Sequence, residues 1–256
     1  MKTLNRFGIK PGELNLLINS CNMKLSKYLM AVVVVCLAIT VSHAQSGPDE
    51  DQLGIWYMYF VQKRFKESQW GVQGDYQFRF WNIGGDLEQL LLRTGVTYRP
   101  KSEDILFTVG YAYIGTGAFG ESNEMTNENR VYQETLFSQK IASRFHFTHR
   151  IRYEQRWVET HDFRTRYRYN LFLNVPLNKT ELEKNAIYLA LYNEIFINGQ
   201  TDIGDGLSVQ YFDRNRTYLG MGYGIAKSSR VQLGWMRQTT ANWAKGQLQV
   251  SLHQNF

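Results

Sequence analysis

Apolar and polar residues alternate with a period of two along most of this chain, most clearly between Arg144 and Val175. From Phe145 to Trp157, every second residue is mostly apolar or aromatic, and the residues between them are mostly charged. After a short break at Glu159–Asp162 the same alternation resumes. Successive side chains of a β-strand point to opposite faces, so this stretch predicts a hairpin whose strands each have an apolar face and an arginine face.

The same period recurs before and after this hairpin, in segments separated by turns and loops rich in glycine, asparagine and other polar residues. The other candidate strands are Ile55–Gln62, Trp70–Phe80, Gln89–Arg99, Ile105–Tyr113, Arg130–Gln139, Ile187–Asn198, Tyr211–Ala226, Arg230–Thr239 and Gln247–Phe256. The two longest loops are expected at Gly115–Asn129 and Gly199–Gln210. No helical period of comparable length is present, which predicts an all-β protein.

Two architectures fit strands with such distinct faces. A soluble β-sandwich would bury the apolar faces and leave the arginines in water, whereas a membrane barrel would turn the apolar faces to lipid and the arginines to a polar lumen. Aromatic residues at strand ends, such as Trp70, Tyr98 and Trp157, are typical of membrane-interface girdles. We therefore predict an antiparallel, transmembrane, up-and-down β-barrel over residues 55–256.

The strand number is left open by the sequence. Bacterial single-chain barrels have an even number of strands, but eleven segments alternate. Ten strands close the barrel if Ile55–Gln62, whose alternation is the least clear, is an extra element. Twelve close it if that first segment is split.

The N-terminal region has the three parts of a secretory signal peptide. Met23–Lys27 is positively charged, Tyr28–Val41 is an apolar run, and Ser42–Ala44 has the small-x-small form of a cleavage site. The apolar run is shorter than the ~20 residues that span a bilayer. We predict that residues 1–22 are a mis-annotated upstream segment, that 23–44 are a signal peptide cleaved after Ala44, and that 45–54 are a mobile N-terminus.

The net charge of +6 is concentrated in this leader. Residues 1–44 contain five of the 29 basic residues and one of the 23 acidic ones, so the remaining chain has a net charge of only +2. No Lys/Arg-rich run follows, which argues against a nucleic-acid partner. Both cysteines, Cys21 and Cys36, lie in the leader, and the expected mature chain therefore has no disulfide and no thiol chemistry.

The candidate functional cluster is on the polar face of the central hairpin. If its strands pair symmetrically about the break, the opposed pairs are Arg156 with Arg164, Glu154 with Arg166, and Arg152 with Arg168. Opposed arginines repel each other and need carboxylates from other strands, for which Glu194, Asp75 and Glu134 are the candidates. The predicted lumen cluster is Arg150, Arg152, Glu154, Arg156, Arg164, Arg166, Arg168 and Glu194. It either plugs a narrow barrel or forms an electropositive constriction for anions.

Three other motifs are weaker indications of a functional site. Gly115–Gly120 has the spacing of a dinucleotide loop, but no helix follows to hold a phosphate. His146 and His149 face opposite sides of a strand and cannot share a metal. Ser251 and His253 share a face about 7 Å apart by strand rise, which is too far for a nucleophile and its base without rearrangement. We predict no catalytic residue, no metal and no cofactor.

Several segments resemble a known family. They are His149–Arg156, Arg164–Tyr169, Tyr192–Asn198 and Phe212–Tyr218, the last followed by Gly220 and Gly222. They are similar to the bacterial outer-membrane barrels catalogued as domain of unknown function 2490, over roughly Trp56–Phe256. The resemblance implies a barrel in the outer membrane and supplies no catalytic residues. The alternating C-terminal strand ending at Phe256 also resembles the signal that bacterial barrel-assembly machinery recognises, although Gln254 departs from it.

The sequence thus predicts a non-enzymatic protein of the bacterial outer membrane, in contact with its lipid and with the assembly machinery. It is either a narrow anion-preferring pore or a structural and interaction barrel. The alternative is an outer-membrane enzyme, a lipid acylhydrolase or a protease-like protein acting at the rim, with Ser251 and His253 or the loop acids Asp202, Asp205 and Asp213 as its only candidates.

Overall fold

A computed structural model describes residues 51–101, 104–120 and 124–256, and it contains eleven β-strands over these ranges. The strands are β1 Gly54–Arg64, β2 Trp70–Asn82, β3 Gly85–Tyr98, β4 Ile105–Gly117, β5 Met125–Ile141, β6 Phe145–Val158, β7 Arg164–Pro176, β8 Ile187–Asn198, β9 Phe212–Ala226, β10 Ser229–Thr239 and β11 Ala244–Asn255. The predicted all-β barrel of ten to twelve strands is confirmed. In the described part of the chain, no helix is long and apolar enough to cross a membrane.

The barrel is closed by a parallel pair. Each strand pairs antiparallel with its neighbour in the chain, and β1 pairs parallel with β11, with Trp56 opposite Gln249. An up-and-down chain with an odd number of strands begins and ends in the same direction, so its first and last strands can only close in parallel. The expectations of an even strand number and of a wholly antiparallel sheet are therefore wrong.

The segment left open by the sequence is a full member of the wall. Ile55–Gln62 lies within β1, and its polar alternation is weak because Trp56, Met58 and Phe60 line the interior in place of charged residues. An apolar interior wall removes the contrast between the two faces from which strands are recognised.

The two ends of the barrel are different. The end that carries the start of β1, here called the N-terminal mouth, also holds the connections 83–84, 118–124, 159–163, 199–211 and 240–243. The opposite end, the C-terminal mouth, holds the end of β11 and the connections 65–69, 99–104, 142–144, 177–186 and 227–228. The predicted loop at Gly199–Gln210 is confirmed, whereas the other long loop is shorter than predicted because β4 continues to Gly117 and β5 begins at Met125.

The outer surface of the wall is apolar. Large side chains on the outward side of successive strands are exposed, among them Val109, Ile151, Tyr167, Leu219 and Leu233, with exposures from 54% to 61%. The alternate positions of the same strands are buried inside the barrel. The predicted pairing of the central hairpin is also confirmed, with Glu154 opposite Arg166.

Glycines on β9 make room for the interior side chains. A Cβ built on Gly222 would lie 2.0 Å from the Cζ of Tyr188, and one on Gly224 would lie 2.0 Å from the carbonyl oxygen of Glu183. The first glycine therefore admits the buried Tyr188 ring, and the second admits the 177–186 connection. Leu182 of that connection packs against the buried cluster of Trp56 and Tyr188.

The predicted leader lies outside the described residues. This applies to the upstream segment 1–22, to the signal peptide 23–44 with its cleavage after Ala44, and to residues 45–50 of the predicted mobile N-terminus. Of the remaining residues of that segment, Gly54 already belongs to β1, and the backbone carbonyl of Gln52 accepts a hydrogen bond from the Lys245 ammonium of β11.

Candidate functional site: the charged interior

The interior is crossed by one continuous set of ion pairs, here called the ionic network. It connects five carboxylates to seven arginines, all of them buried or half-buried. The carboxylates are Glu128, Glu134, Glu154, Glu194 and Asp213, and the arginines are Arg130, Arg150, Arg152, Arg156, Arg166, Arg168 and Arg214.

Glu154 lies at the centre of this network. Its side chain is 1% exposed and accepts hydrogen bonds from Arg166 at 2.7 and 3.0 Å and from Arg168 at 2.6 Å. The guanidinium groups of Arg130 and Arg152 come within 3.6 and 3.9 Å of the same carboxylate. Four positive charges around one carboxylate compensate the negative charge that burial would otherwise make costly.

The opposed arginines of the hairpin find their carboxylates on other strands. Arg152 and Arg168 face each other, and Arg152 donates to Glu134 of β5 at 2.6 Å while Arg168 donates to Glu194 of β8 at 2.6 and 2.9 Å. The two facing guanidinium groups are thereby neutralised by different neighbours. A third carboxylate, Asp75 of β2, pairs with Arg93 at 2.5 Å and is separate from the network.

Of the eight cluster residues proposed from the sequence, seven belong to the network. The eighth, Arg164, is half-buried and forms no ion pair with any described residue. Two network carboxylates were missed. Glu128, which accepts from Arg156 at 2.5 and 3.0 Å, was assigned to a loop, and Asp213, which accepts from Arg166 at 2.8 Å, was read as a rim acid. The only signal for Glu128 is its even spacing from Arg130 and Glu134, which follow it by two and six residues and therefore share its face of β5.

Two cavities occupy the rest of the interior. The first, of about 290 Å³, extends toward the C-terminal mouth past Phe60, Arg230 and His253. The second, of about 350 Å³, extends toward the N-terminal mouth past Trp81 and His161. Four arginines line both cavities, and we call them the arginine layer: Arg79, Arg93, Arg168 and Arg216.

The cavity walls carry far more positive than negative groups. Together the two cavities are lined by twelve arginines and by five carboxylates. The arginines are Arg79, Arg93, Arg130, Arg150, Arg152, Arg156, Arg164, Arg166, Arg168, Arg214, Arg216 and Arg230, and the carboxylates are Asp75, Glu88, Glu128, Glu134 and Glu194. A cavity lined by one sign of charge within low-dielectric walls concentrates ions of the opposite sign.

Aromatic rings support the arginines of the layer. The guanidinium carbons of Arg79 and Arg216 lie 3.9 and 4.8 Å from the ring centroid of Trp56, and that of Arg168 lies 4.3 Å from the centroid of Phe196. Cation–π contacts of this kind stabilise a positive charge without neutralising it.

The serine and histidine near the C-terminus are closer than strand rise alone suggested. Ser251 Oγ and His253 Nε2 are 3.0 Å apart and hydrogen-bonded, because the imidazole extends from its Cβ along the strand toward the serine. The His253 ring stacks on Phe60 at 4.7 Å, and its cross-strand neighbour is Arg230. No described carboxylate forms a hydrogen bond or an ion pair with His253, so the pair lacks the third group that orients a catalytic base.

Titratable groups outside the strands lie at both mouths. Partial burial of His161, together with the nearby charge of Arg164, lowers the pKa of its imidazole and favours its neutral form. At the other mouth, the hydrogen bond from Lys140 lowers the pKa of Glu181. Over the described ranges, no group of three or more His, Cys, Asp or Glu side chains could hold a metal ion.

The family can now be assigned. A model of the family described as Protein of unknown function (DUF2490) matches residues 53–249, which includes almost every strand of the barrel. The chain belongs to this family. The DUF2490 match begins just before β1 and ends within β11.

The chain also resembles a bacterial protein over most of its length. The chain is 28% identical over 221 residues to an uncharacterized protein of Methylorubrum extorquens, covering 83% of this DUF2490 chain and 89% of the relative. No solved structure matches the chain.

Proposed function

We propose that this protein is a bacterial outer-membrane β-barrel with an arginine-rich lumen that forms a narrow, anion-preferring passage. The observation that carries the proposal is the arginine layer. One cavity extends from it toward each mouth, and arginines outnumber carboxylates in the lining of both cavities. The apolar outer surface of a closed barrel supports the location, since a lipid bilayer solvates such a surface and water does not.

The ionic network supports a narrow passage over a wide one. Barrels of about eight strands are filled by side chains, and those of 16–18 strands leave an aqueous channel. Eleven strands fall nearer the first case, and the paired guanidinium groups of Arg166 and Arg168 occupy the interior. A small current is therefore expected, carried by ions that interact with the arginine layer.

The location is tested by fractionation of a diderm host that expresses the full chain. On a sucrose density gradient, the protein is expected with outer-membrane markers, in a form whose electrophoretic mobility changes on boiling. Recovery in the periplasmic fraction would contradict the membrane location. The passage is tested in a planar bilayer, where a steady unitary current is expected. Absence of current from a protein whose electrophoretic mobility shows that it is folded would contradict the passage.

One observation favours a rival function, an acylhydrolase. The 3.0 Å contact between Ser251 and His253 is that of a nucleophile and its base. We propose that it is instead a structural hydrogen bond of the interior, because no carboxylate of the described residues orients the histidine and the pair faces the first cavity. Hydrolysis of a phospholipid or nitrophenyl ester by the purified protein, abolished in Ser251→Ala, would overturn this choice.

A further inference from the structure

The lining of the first cavity combines two kinds of side chain. It includes arginines of the layer and of the ionic network. It also includes apolar and aromatic residues of β1, β8 and β9, among them Met58, Tyr192 and Tyr218. The rings of Tyr192 and Tyr218 stack at 4.8 Å with an interplanar angle of 11°. A cavity with cationic and aromatic lining residues matches a ligand that has an anionic head and an apolar body.

Two arginines of this cavity have no carboxylate partner. Arg79 and Arg216 are each 6% exposed, and neither forms an ion pair with any residue of the described ranges. Arg79 donates to Gln77 at 2.6 and 2.9 Å and to Gln89 at 2.6 Å, and Arg216 donates to Gln238 at 2.7 Å. Amide oxygens satisfy some of the N–H groups but carry no charge, so neither guanidinium group has a described carboxylate bound directly to it.

The two unpaired charges converge on one side chain. Both guanidinium carbons lie over the Trp56 ring, at 3.9 and 4.8 Å from its centroid, so they cannot be farther apart than the sum of these distances. The space bordered by these two guanidinium groups is the candidate site for a carboxylate or phosphate head. Two like charges on one ring, neither of them in a direct ion pair with a described carboxylate, form a site that an anion stabilises more than water does.

A third donor lies beside them. Gln249 is opposite Trp56 in the parallel pair and 2% exposed, and its Oε1 accepts a hydrogen bond from the Tyr192 hydroxyl at 3.0 Å. Its Nε2 is buried and has no hydrogen-bond partner among the described residues. A buried donor without a partner costs free energy, and this donor borders the cavity next to the two arginines.

Two carboxylates lie near these arginines without pairing directly with either of them. Glu88 accepts hydrogen bonds from Trp56 Nε1 at 2.8 Å and from Gln247 at 3.1 Å, and it lines only the second cavity. Glu194 is the register partner of Arg216 and lines the first cavity, but its Oε1 accepts hydrogen bonds from Arg150 and Arg168. Both carboxylates are therefore engaged with other donors, and Arg79 and Arg216 keep N–H groups for a ligand.

We propose that the first cavity binds one small organic anion, with its head at Arg79, Arg216 and Gln249 and its apolar body against Tyr192 and Tyr218. The volume of about 290 Å³ is at the lower end of the ~300–1,000 Å³ typical of ligand pockets. The ligand is accordingly the size of an aromatic carboxylate. The inference rests on the proposed function, because the anion enters through the mouth of the barrel.

Equilibrium dialysis of radiolabelled benzoate against the folded protein in detergent tests the site. Saturable binding of about one benzoate per chain is expected, with weaker binding of benzyl alcohol, which keeps the ring without the charge, and of acetate, which keeps the charge without the ring. This comparison uses the unchanged protein. Benzyl alcohol bound as tightly as benzoate, or no saturable binding at all, would overturn the proposal.

The variants locate the binding site. Arg79→Gln and Arg216→Gln are each expected to weaken benzoate binding at least about tenfold, and Tyr218→Leu to weaken it by a smaller factor. Arg64→Gln is the matched control, because Arg64 is exposed and lies outside the cavity, and its affinity is expected to be unchanged. Equal loss in Arg64→Gln and Arg79→Gln would contradict the assigned head site.

This test is independent of conduction. Benzoate binding by a barrel that carries no current would support the site and remove the proposed passage. Current without saturable benzoate binding would overturn the site and leave the passage standing.

Discussion

At the scale of single residues, Glu154 shows how a narrow closed barrel tolerates arginines that face each other inside it. One carboxylate, 1% exposed, serves Arg166 and Arg168 directly and has two further arginines within 3.9 Å. Removing one partner from a buried ion pair leaves the other uncompensated, which destabilises a protein by about 3–5 kcal/mol. Loss of Glu154 therefore removes a compensating charge from several arginines at once, whereas loss of one arginine leaves Glu154 with three others.

Glu154→Gln is accordingly expected to lower the free energy of unfolding by about 3–5 kcal/mol. The measurement is urea unfolding of the refolded barrel in detergent, followed by tryptophan fluorescence. The control is Glu183→Gln, which removes an exposed pair with Lys179 and is expected to cost under about 0.5 kcal/mol. Similar midpoints for the two variants would mean that the network contributes little to stability.

Gly222 gives a second prediction at this scale, because its lack of a side chain leaves room for the ring of Tyr188. A methyl group there overlaps the ring of the fully buried Tyr188, so Gly222→Ala is expected to destabilise the barrel by about 1–3 kcal/mol. In a Tyr188→Leu background the cost of the same change should shrink, because the clashing atoms are gone. Gly84→Ala, which meets only an oxygen at 3.9 Å, is the control. An undiminished cost in the double variant would contradict the clash.

At the scale of elements, the parallel pair of β1 and β11 is the feature that sequence reasoning did not reach. The hairpin from β6 to β7 was predictable down to its register, because apolar and arginine positions alternate on both sides of a short break. Ile55–Gln62 was recognised as a candidate strand, but its place in the barrel was left open, because the interior positions Trp56, Met58 and Phe60 match its exterior in polarity. Patterns within one strand also carry no information on which partner closes a barrel.

A disulfide tests this closure. Tyr57 and Val250 are register partners on the outward side, so Tyr57→Cys with Val250→Cys is expected to form a crosslink, in a background with Cys21 and Cys36 changed to serine. The pair Tyr57→Cys with Gln254→Cys, four residues out of register, should stay reduced. Non-reducing electrophoresis reads both results, and crosslinking of the second pair alone would contradict the parallel register.

The existence of an interior ionic network was predictable from the sequence, but only some of its residues were. Arginines spaced by two residues on β6 and β7 indicated an interior cluster and a need for carboxylates from elsewhere. Glu128 was missed because the start of β5 is polar on both faces, and the strand is 17 residues long instead of the ten expected. Arg79 and Arg216 were not singled out, because whether a side chain forms a direct ion pair depends on tertiary structure.

At the scale of the whole molecule, the odd strand number places the two ends of the barrel chain at opposite mouths. β1 begins at the N-terminal mouth, and β11 ends at the C-terminal mouth. In bacterial barrels the short turns are periplasmic and the longer loops extracellular, and the longest connection here, 199–211, is at the N-terminal mouth. We therefore expect residues just before β1 to be on the cell surface.

Cysteine labelling in intact cells tests this orientation. Leu207→Cys, in the 199–211 connection, and Asp51→Cys, just before β1, are both expected to react with a membrane-impermeant maleimide. Glu183→Cys, in the 177–186 connection, is expected to react only after the outer membrane is permeabilised. Labelling of Glu183→Cys in intact cells, without labelling of Leu207→Cys, would reverse the orientation.

The central claim, an anion-preferring passage through an arginine layer, is tested most directly by a reversal potential. The refolded protein is placed in a planar bilayer with potassium chloride in a concentration gradient, and the zero-current voltage is measured. We expect the sign that corresponds to chloride preference, reduced toward zero when Arg79 and Arg216 are both changed to glutamine and unchanged in Arg64→Gln. A zero-current voltage of the cation-selective sign would contradict the account.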